Sequence, residues 1–311
     1  MTVTVTAEVA EFAADTSETV DKQRLWRGAE VLPGYRVLGP IHLGRQFEIL
    51  DCWSLSRQAR CVVKVLRPQA AALPFWREQL LLEGRLLVTL DHPHLVRGYE
   101  VRVTPRAGVV LETLGGATVG STLLGGARLP ARLVAHLGQQ VSSALSYLHG
   151  NGYLHLDVKP DNVIVDGGRA RLIDLGLVQR PGPVPRGVGT RDYLSPEQGR
   201  GEAAGPAADV WGLGVMLYEA AAGLNPFRLA RHDGIAPSGD GSHTCSSCGA
   251  AQSFAQTVVR APRIASFRRL PRPLAAAIDA ALEPEPAARP TMAELRRAMV
   301  AVTGGDEPTT W

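Results

Sequence analysis

The sequence predicts an α+β fold, and three observations carry that expectation. Cys-Val-Val-Lys-Val-Leu at 61–66 is a β-branched run of strand length. Residues 75–90 place leucines at helical spacing over more than four turns. Short apolar stretches at 153–154, 163–165 and 170–173 bracket a polar octapeptide, the pattern of buried strands flanking a loop. The chain has 311 residues, 45% of them hydrophobic, which is enough to bury two cores.

In chain order, residues 1–25 are rich in Thr, Glu, Ala and Asp without periodicity and are expected to be disordered. The 61–66 strand carries one lysine, Lys64. On the 75–90 helix, leucines at 80, 82, 86, 87 and 90 form a broad apolar face. Glu78 and Glu83 lie on the same helix, and Asp91-His92-Pro93-His94 follows it. The longest apolar stretch, 210–224, is interrupted by Glu219 and by glycines, so no run of 18 apolar residues exists. Arg260, Arg263, Arg268, Arg269 and Arg272 precede a helix expected at 273–282 and read as a solvated basic face. Residues 303–311 read as a frayed tail, and no internal repeat is visible.

The octapeptide is His155-Leu156-Asp157-Val158-Lys159-Pro160-Asp161-Asn162, and twelve residues after Asn162 comes Asp174-Leu175-Gly176. Two acids, an amide and a lysine at this spacing suit phosphoryl transfer from a magnesium nucleotide. Taken singly, Asp157, Asp161 and Asn162 also read as caps and turn residues. Together the two motifs resemble the catalytic loop and metal-binding turn of the protein kinases, H-R-D-x-K-x-x-N and D-F-G. The resemblance implies that Asp174 and Asn162 hold Mg²⁺ (or Mn²⁺). Asp157 would then orient the attacking hydroxyl, and Lys159 would reach the γ-phosphate of ATP. A lysine at 159 is similar to the serine/threonine-specific branch.

The family pattern continues in both directions. Lys64 matches the V-A-I-K lysine, and Glu83, nineteen residues later, matches the helix-borne glutamate that pairs with it. Gly-Thr-Arg-Asp-Tyr-Leu-Ser-Pro-Glu at 189–197 resembles the end of an activation segment. Asp-Val-Trp-Gly-Leu-Gly at 209–214 resembles D-x-W-x-x-G, which opens a buried helix, and Arg289 falls where an arginine pairs with Glu197. The resemblance covers about 30–302 and is nearest to bacterial Hanks-type (eukaryotic-like) serine/threonine kinases. It implies a bilobal protein-kinase-like fold: a mainly β N-lobe at 30–111, a hinge at 112–116, and a mainly α C-lobe at 117–302 with an insertion at 232–253. Adenine is then expected between Ile49 and Val62 above and Ile164 below, bonded to the backbone of Glu112 and Leu114. The implied activity is ATP-dependent phosphorylation of protein Ser/Thr. The alternatives are a pseudokinase-type regulatory binding module with weakened nucleotide binding, and a kinase for a small hydroxylated molecule.

Two departures stand out. Counted back from Lys64, the three positions of the glycine-rich loop fall on His42, Gly44 and Phe47, with Ile49 at the following valine. One glycine of three should cover the nucleotide less tightly. The arginine of H-R-D is Leu156, and residues 177–189 contain no Ser, Thr or Tyr. Receptor and phosphosite are missing together, so control by phosphorylation of that loop is not expected.

A net charge of +3 gives no argument for nucleic acid or a membrane surface. The start has neither a basic nor an apolar leader region, so a cytoplasmic location is expected. The sequence is silent on oligomeric state. Of the four cysteines, Cys52 and Cys61 read as small core residues or an edge pair on N-lobe strands, with no structural disulfide expected. Cys245-Ser-Ser-Cys248-Gly resembles one knuckle of a zinc ribbon, which His243 and His232 would complete as a Zn²⁺ site. A redox-sensitive thiol pair and two free surface cysteines are the other readings of Cys245 and Cys248.

Overall fold

A computed structural model describes residues 27–228 and 254–305. The first lobe is a six-stranded sheet of spatial order β1-β2-β3-β4-β6-β5. Its strands are β1 (Glu30–Leu32), β2 (Tyr35–Leu43), β3 (Phe47–Ser54), β4 (Ala59–Leu66), β5 (Gly98–Arg102) and β6 (Gly108–Glu112). The one-turn helix α1 (Pro68–Ala71) and the longer α2 (Pro74–Thr89) connect β4 to β5.

Period-two alternation explains how the sheet buries two faces. Along β3 the even positions Glu48, Leu50, Cys52 and Ser54 are buried, while Phe47, Ile49 and Asp51 are half-exposed. Leu50 and Cys52 pack with Tyr35, Val37, Cys61 and Val63 in a core on one face. The opposite face is closed by α2, through Leu80 against Leu66 and Val109. Helix and sheet approach closely at Gly84, where a Cβ would lie 2.5 Å from Val109 Cγ2 and 2.8 Å from Val101 Cγ2.

The chain crosses to the second lobe through 113–116, between β6 and the two-residue β7 (Ala117–Thr118). Gly116 is required here, because a Cβ would fall 1.7 Å from the Val165 carbonyl oxygen. The lobe continues with α3 (Val119–Thr122), α4 (Ala131–Gly150), β8 (Val163–Asp166), β9 (Arg169–Leu172), β10 (Gly182–Pro183), α5 (Pro196–Arg200), β11 (Ala203–Ala204), α6 (Pro206–Ala222), α7 (Arg272–Ala281) and α8 (Met292–Thr303). Strands β7, β8 and β9 form a small antiparallel sheet. Helix α6 is buried throughout 208–222 and mostly apolar apart from Asp209 and Glu219, so it is the axis of the larger core.

The expected α+β, bilobal, kinase-like architecture is therefore present, with several local differences. Tyr153 and Leu154 do not form a strand; Leu154 makes one isolated bridge to Gln179, because the chain turns directly into the loop. On α2 the fully covered side carries Leu81 in addition to Leu80, Leu86 and Leu87, and Leu82 is only partly covered. Cys52 and Cys61 are opposite one another in the β3–β4 register, both fully buried and both free thiols. Burial pushes the Cys52 thiol up to about 12 and the Cys61 thiol up to about 11, which keeps both protonated. The arginines of 260–272 are not uniformly solvated. Arg268 donates to the carbonyls of Leu129 at 2.6 Å and Ala221 at 2.7 Å, whereas Arg260 is exposed and pairs with Glu283 at 3.2 Å. The expectations for 1–25, for most of 303–311, and for His232, His243, Cys245 and Cys248 fall outside the described residues. Among the described residues, no helix is long and apolar enough to cross a membrane.

Candidate active site

Two clusters of polar side chains are held together by hydrogen bonds. The first joins the sheet, α2 and the turn after β9. Lys64 projects from β4 and is 4% exposed. Its Nζ donates to Glu83 Oε2 at 2.8 Å, Glu83 Oε1 at 3.1 Å and Asp174 Oδ1 at 2.7 Å. Glu83 is buried, whereas Glu78, one helical turn and a half earlier, is exposed.

Two carboxylates therefore share one ammonium, Lys64 and Glu83 being enclosed and Asp174 open on one side. Burial opposes the charge on Lys64, but Asp174 and Glu83 together outweigh it and hold the ammonium above its usual range. Burial likewise disfavours the Asp174 carboxylate, yet Lys64 outweighs it and keeps the acid below the usual carboxylate range. Burial pushes the Glu83 carboxyl up to about 7, with Lys64 opposing.

This has a pH consequence of definite sign. The folded value of Glu83 lies above its ordinary 4.5, so the protonated form stabilises the fold, and that contribution is lost as pH rises through about 7. The stability of the wild type relative to Glu83→Gln, which stays neutral, should fall by more than about 1 kcal/mol between about pH 5 and about pH 8. Denaturant unfolding at both pH values measures it. A pH-independent difference would mean that Glu83 keeps one charge state throughout.

The second cluster belongs to the loop before β8. Asp157 Oδ2 accepts from Lys159 Nζ at 2.7 Å and from Asn162 Nδ2 at 3.0 Å. Its Oδ1 accepts from the backbone N–H of Thr190 at 2.9 Å and from Thr190 Oγ1 at 2.6 Å. Lys159 Nζ also donates to Thr190 Oγ1 at 2.6 Å. Asn162 Nδ2 bonds back to the Asp157 carbonyl at 2.9 Å, and the Asn162 carbonyl accepts from Ile173 N at 2.9 Å. The last bond ties this cluster to the turn that carries Asp174.

The loop is held under backbone strain. Leu156 and Asp174 both have φ of 63°, a region L side chains seldom adopt. Asp209, at the start of α6, holds the first of these by accepting from Leu156 N at 2.8 Å and His155 N at 2.9 Å. It also bonds His149 Nε2 at 2.7 Å. Burial of Asp209 is outweighed by His149 and the other donors, so its carboxyl stays below the usual range. Gln198 Nε2 donates to the Leu156 carbonyl at 2.9 Å from the other side.

Each sequence-predicted residue can now be placed. Lys64, Glu83 and Asp174 come together, and so do Asp157, Lys159 and Asn162. Ile49 is the register partner of Lys64, and Val62 lies two residues before it on the same face. Both are half-buried, as is Ile164 on β8 of the second lobe. Glu112 ends β6, and Leu114 sits on the connection between the lobes. The Glu112 carboxylate is held by Arg171 Nη1 at 2.6 Å and Arg97 N at 2.8 Å. Gly44 closes the β2–β3 hairpin, its N–H donating to the Phe47 carbonyl at 3.0 Å.

Sequence reasoning missed the direct bond from Thr190 to Asp157 and the grip of Asp209 and Gln198 on the loop backbone. The motifs at 189–197 and 209–214 were the available signals. Among the described residues, no group of three or more His, Cys, Asp and Glu is arranged to hold a metal ion. The donor set of one carboxylate and one amide, Asp174 and Asn162, suits a hard cation that takes its remaining ligands from phosphates and water. The Asp174 side chain is 40% exposed, so it is open on the side away from Lys64.

Comparison with known proteins places the chain in a family. Residues 35–299 match the family model described as the protein kinase domain. The serine/threonine-protein kinase PknA of Mycobacterium tuberculosis is 31% identical over 208 residues, covering 62% of this chain and 48% of the relative. The serine/threonine-protein kinase pkn2 of Myxococcus xanthus is 31% identical over 228 residues, covering 67% of this chain and 27% of the relative. The chain thus spans 48% or less of the length of these two curated relatives. In fold it is similar to the crystal structure of the Mycobacterium tuberculosis PknI kinase domain, with a TM-score of 0.66 over 88% of this chain and 98% of that one, at 22% identity.

Proposed function

Because the chain belongs to the protein kinase family, we propose that it transfers the γ-phosphoryl group of ATP to Ser/Thr hydroxyls of proteins. The observation that carries this reading is the pair of clusters, bridged by the bond from Ile173 N to the Asn162 carbonyl at 2.9 Å. Phosphoryl transfer needs positioning and charge neutralisation more than covalent help, and the residues present offer both.

Adenine would enter the slot formed by Ile49, Val62 and Ile164, with its edge on the backbone of Glu112 and Leu114. Lys64, held by Glu83, would bind phosphate oxygens. Asp174 and Asn162 would hold Mg²⁺ or Mn²⁺, which when bound neutralises phosphate charge. Asp157 would orient the acceptor hydroxyl, in the position that Thr190 Oγ1 reaches at 2.6 Å, and Lys159 would contact the γ-phosphate. A cleft of about 340 Å³ begins at Pro160 and Asp161, beside this end of the site, and offers room for an acceptor chain. A pseudokinase-type binding module is the second reading. It is favoured by Phe47, whose ring centre lies 4.9 Å from Lys64 Nζ where a glycine would leave open space.

Control by loop phosphorylation is not part of the proposal. Leu156 packs with Val184 of the 177–189 segment and with Leu154, Ala204 and Ala208, so apolar contact holds the loop where other chains use an arginine and a phosphate. With labelled ATP, Mg²⁺ and a generic basic protein, phosphatase-treated and untreated enzyme should turn over within a few-fold of one another. A large loss after treatment, with phospho-Thr190 found in the untreated protein, would overturn that part of the reading.

A further inference from the structure

The β2–β3 hairpin has a built-in anchor on the face opposite Lys64. Glu48 is buried on β3, between the half-exposed Phe47 and Ile49. Its Oε2 accepts from Arg106 Nη2 at 2.6 Å, and its Oε1 accepts from Arg67 Nε at 3.3 Å. Arg106 Nε also donates to the Leu66 carbonyl at 2.8 Å, and Arg67 N donates to the Gln46 carbonyl at 2.8 Å. One carboxylate thereby joins three separate segments: the hairpin arm, the end of β4 and the β5–β6 turn.

The chemistry is informative because a charge is not needed for packing here. The next inward positions on β3 are Leu50 and Cys52, and an apolar side chain would be cheaper to bury than a carboxylate. What a charged, directional pair adds is a fixed position. The alternation of β3 turns the preceding residue, Phe47, to the other face. Its ring centre lies 4.9 Å from Lys64 Nζ and 5.9 Å from the Trp76 ring, edge to face. The hairpin arm is thus pinned from both faces at its entry to β3.

We infer that Glu48, with Arg67 and Arg106, is a positioning residue that fixes the β2–β3 hairpin over the phosphates of the nucleotide. The inference rests on the nucleotide-binding reading of the site. It explains how a hairpin with Gly44 alone among the three expected glycines can still serve as a cover: it is held in place by the anchor and does not fold down by backbone flexibility.

Calorimetry of the full chain with Mg-ATP and, separately, with adenosine tests this. Glu48→Gln and Arg106→Ala should each weaken ATP by about tenfold and leave adenosine nearly unchanged, because adenosine does not reach the hairpin tip. The double variant should be no weaker than the worse single, since both remove one anchor. In turnover, KM for ATP should rise more than kcat falls. Should Glu48→Gln fail to fold, Arg67→Ala joins Arg106→Ala at partly exposed positions for the same comparison. Unchanged ATP affinity, or equal weakening of ATP and adenosine, would overturn the inference while leaving the kinase reading intact. A wild type that binds no ATP would overturn both.

Discussion

Asp174→Asn is expected to abolish phosphoryl transfer, by about 10³-fold or more. The carboxylate at 174 has two tasks in the site. One oxygen accepts from Lys64 Nζ at 2.7 Å and from Gly176 N at 3.1 Å, and in the proposed reading the open side would offer negative charge to a cation that accompanies the phosphates. An amide keeps the shape and loses the charge. Lys64→Met should fall as far by another route. It removes the cation that Glu83 and Asp174 share, leaving the buried Glu83 and the partly exposed Asp174 without their common partner. Both variants should be assayed with labelled ATP beside their melting curves, so that loss of chemistry is separated from loss of fold. Wild-type turnover in either one contradicts the assignment of roles.

The largest expected effect on stability lies at Arg289. Its guanidinium is fully buried and grips Glu197 with two bonds, at 2.7 Å and 2.9 Å. It also donates to the carbonyls of Glu283 and Ala207 at 2.8 Å and of Pro284 at 3.0 Å, and it stacks 4.9 Å from the Trp211 ring. Arg289→Ala leaves Glu197 charged and unpaired in the core and strands three carbonyls, which should cost about 3–5 kcal/mol. That is a large part of the roughly 5–15 kcal/mol a domain has to spare. The double variant Arg289→Met with Glu197→Leu should recover much of the loss, because it removes both charges together. Chemical unfolding measures all three. A single-variant cost under about 1 kcal/mol would show that the pair is not structural.

Much of the site was legible because its residues sit in short motifs with fixed spacing. The choice of Glu83 over Glu78 rested on spacing to Lys64, and burial agrees: Glu83 is enclosed and Glu78 is exposed. The Arg289–Glu197 pair, 92 residues apart, was readable because each partner lies in its own recognisable motif. The Glu48–Arg67–Arg106 anchor was not readable. Its three members stand 19 and 58 residues apart in segments without a signature, and only the sheet register brings them together. The link of Arg228 to Asp192 at 2.8 Å and to Glu219 at 3.3 Å, with Tyr193 donating to Glu219, was also not readable, because the 189–197 motif does not name these partners. Leu154 was misread as strand because two apolar residues before a loop look alike whether they pair along a ladder or make a single bridge.

The departures were also visible as departures, and the structure gives them physical content. Leu156 is a packing residue for the loop that an arginine would otherwise hold, and Phe47 is an aromatic neighbour of Lys64.

The central claim is that these two clusters perform chemistry on a bound nucleotide. It is tested most directly by measuring ATP affinity and phosphate transfer on the same preparations of wild type and Asp157→Ala. Asp157 bonds Thr190, Lys159 and Asn162 and is not itself proposed to touch the nucleotide, whose adenine and Lys64 contacts lie elsewhere. The account predicts that both proteins bind Mg-ATP alike, and that only the wild type transfers label to Ser/Thr of a protein acceptor. Equal binding with no transfer by either protein would contradict it and identify the chain as a nucleotide-binding module.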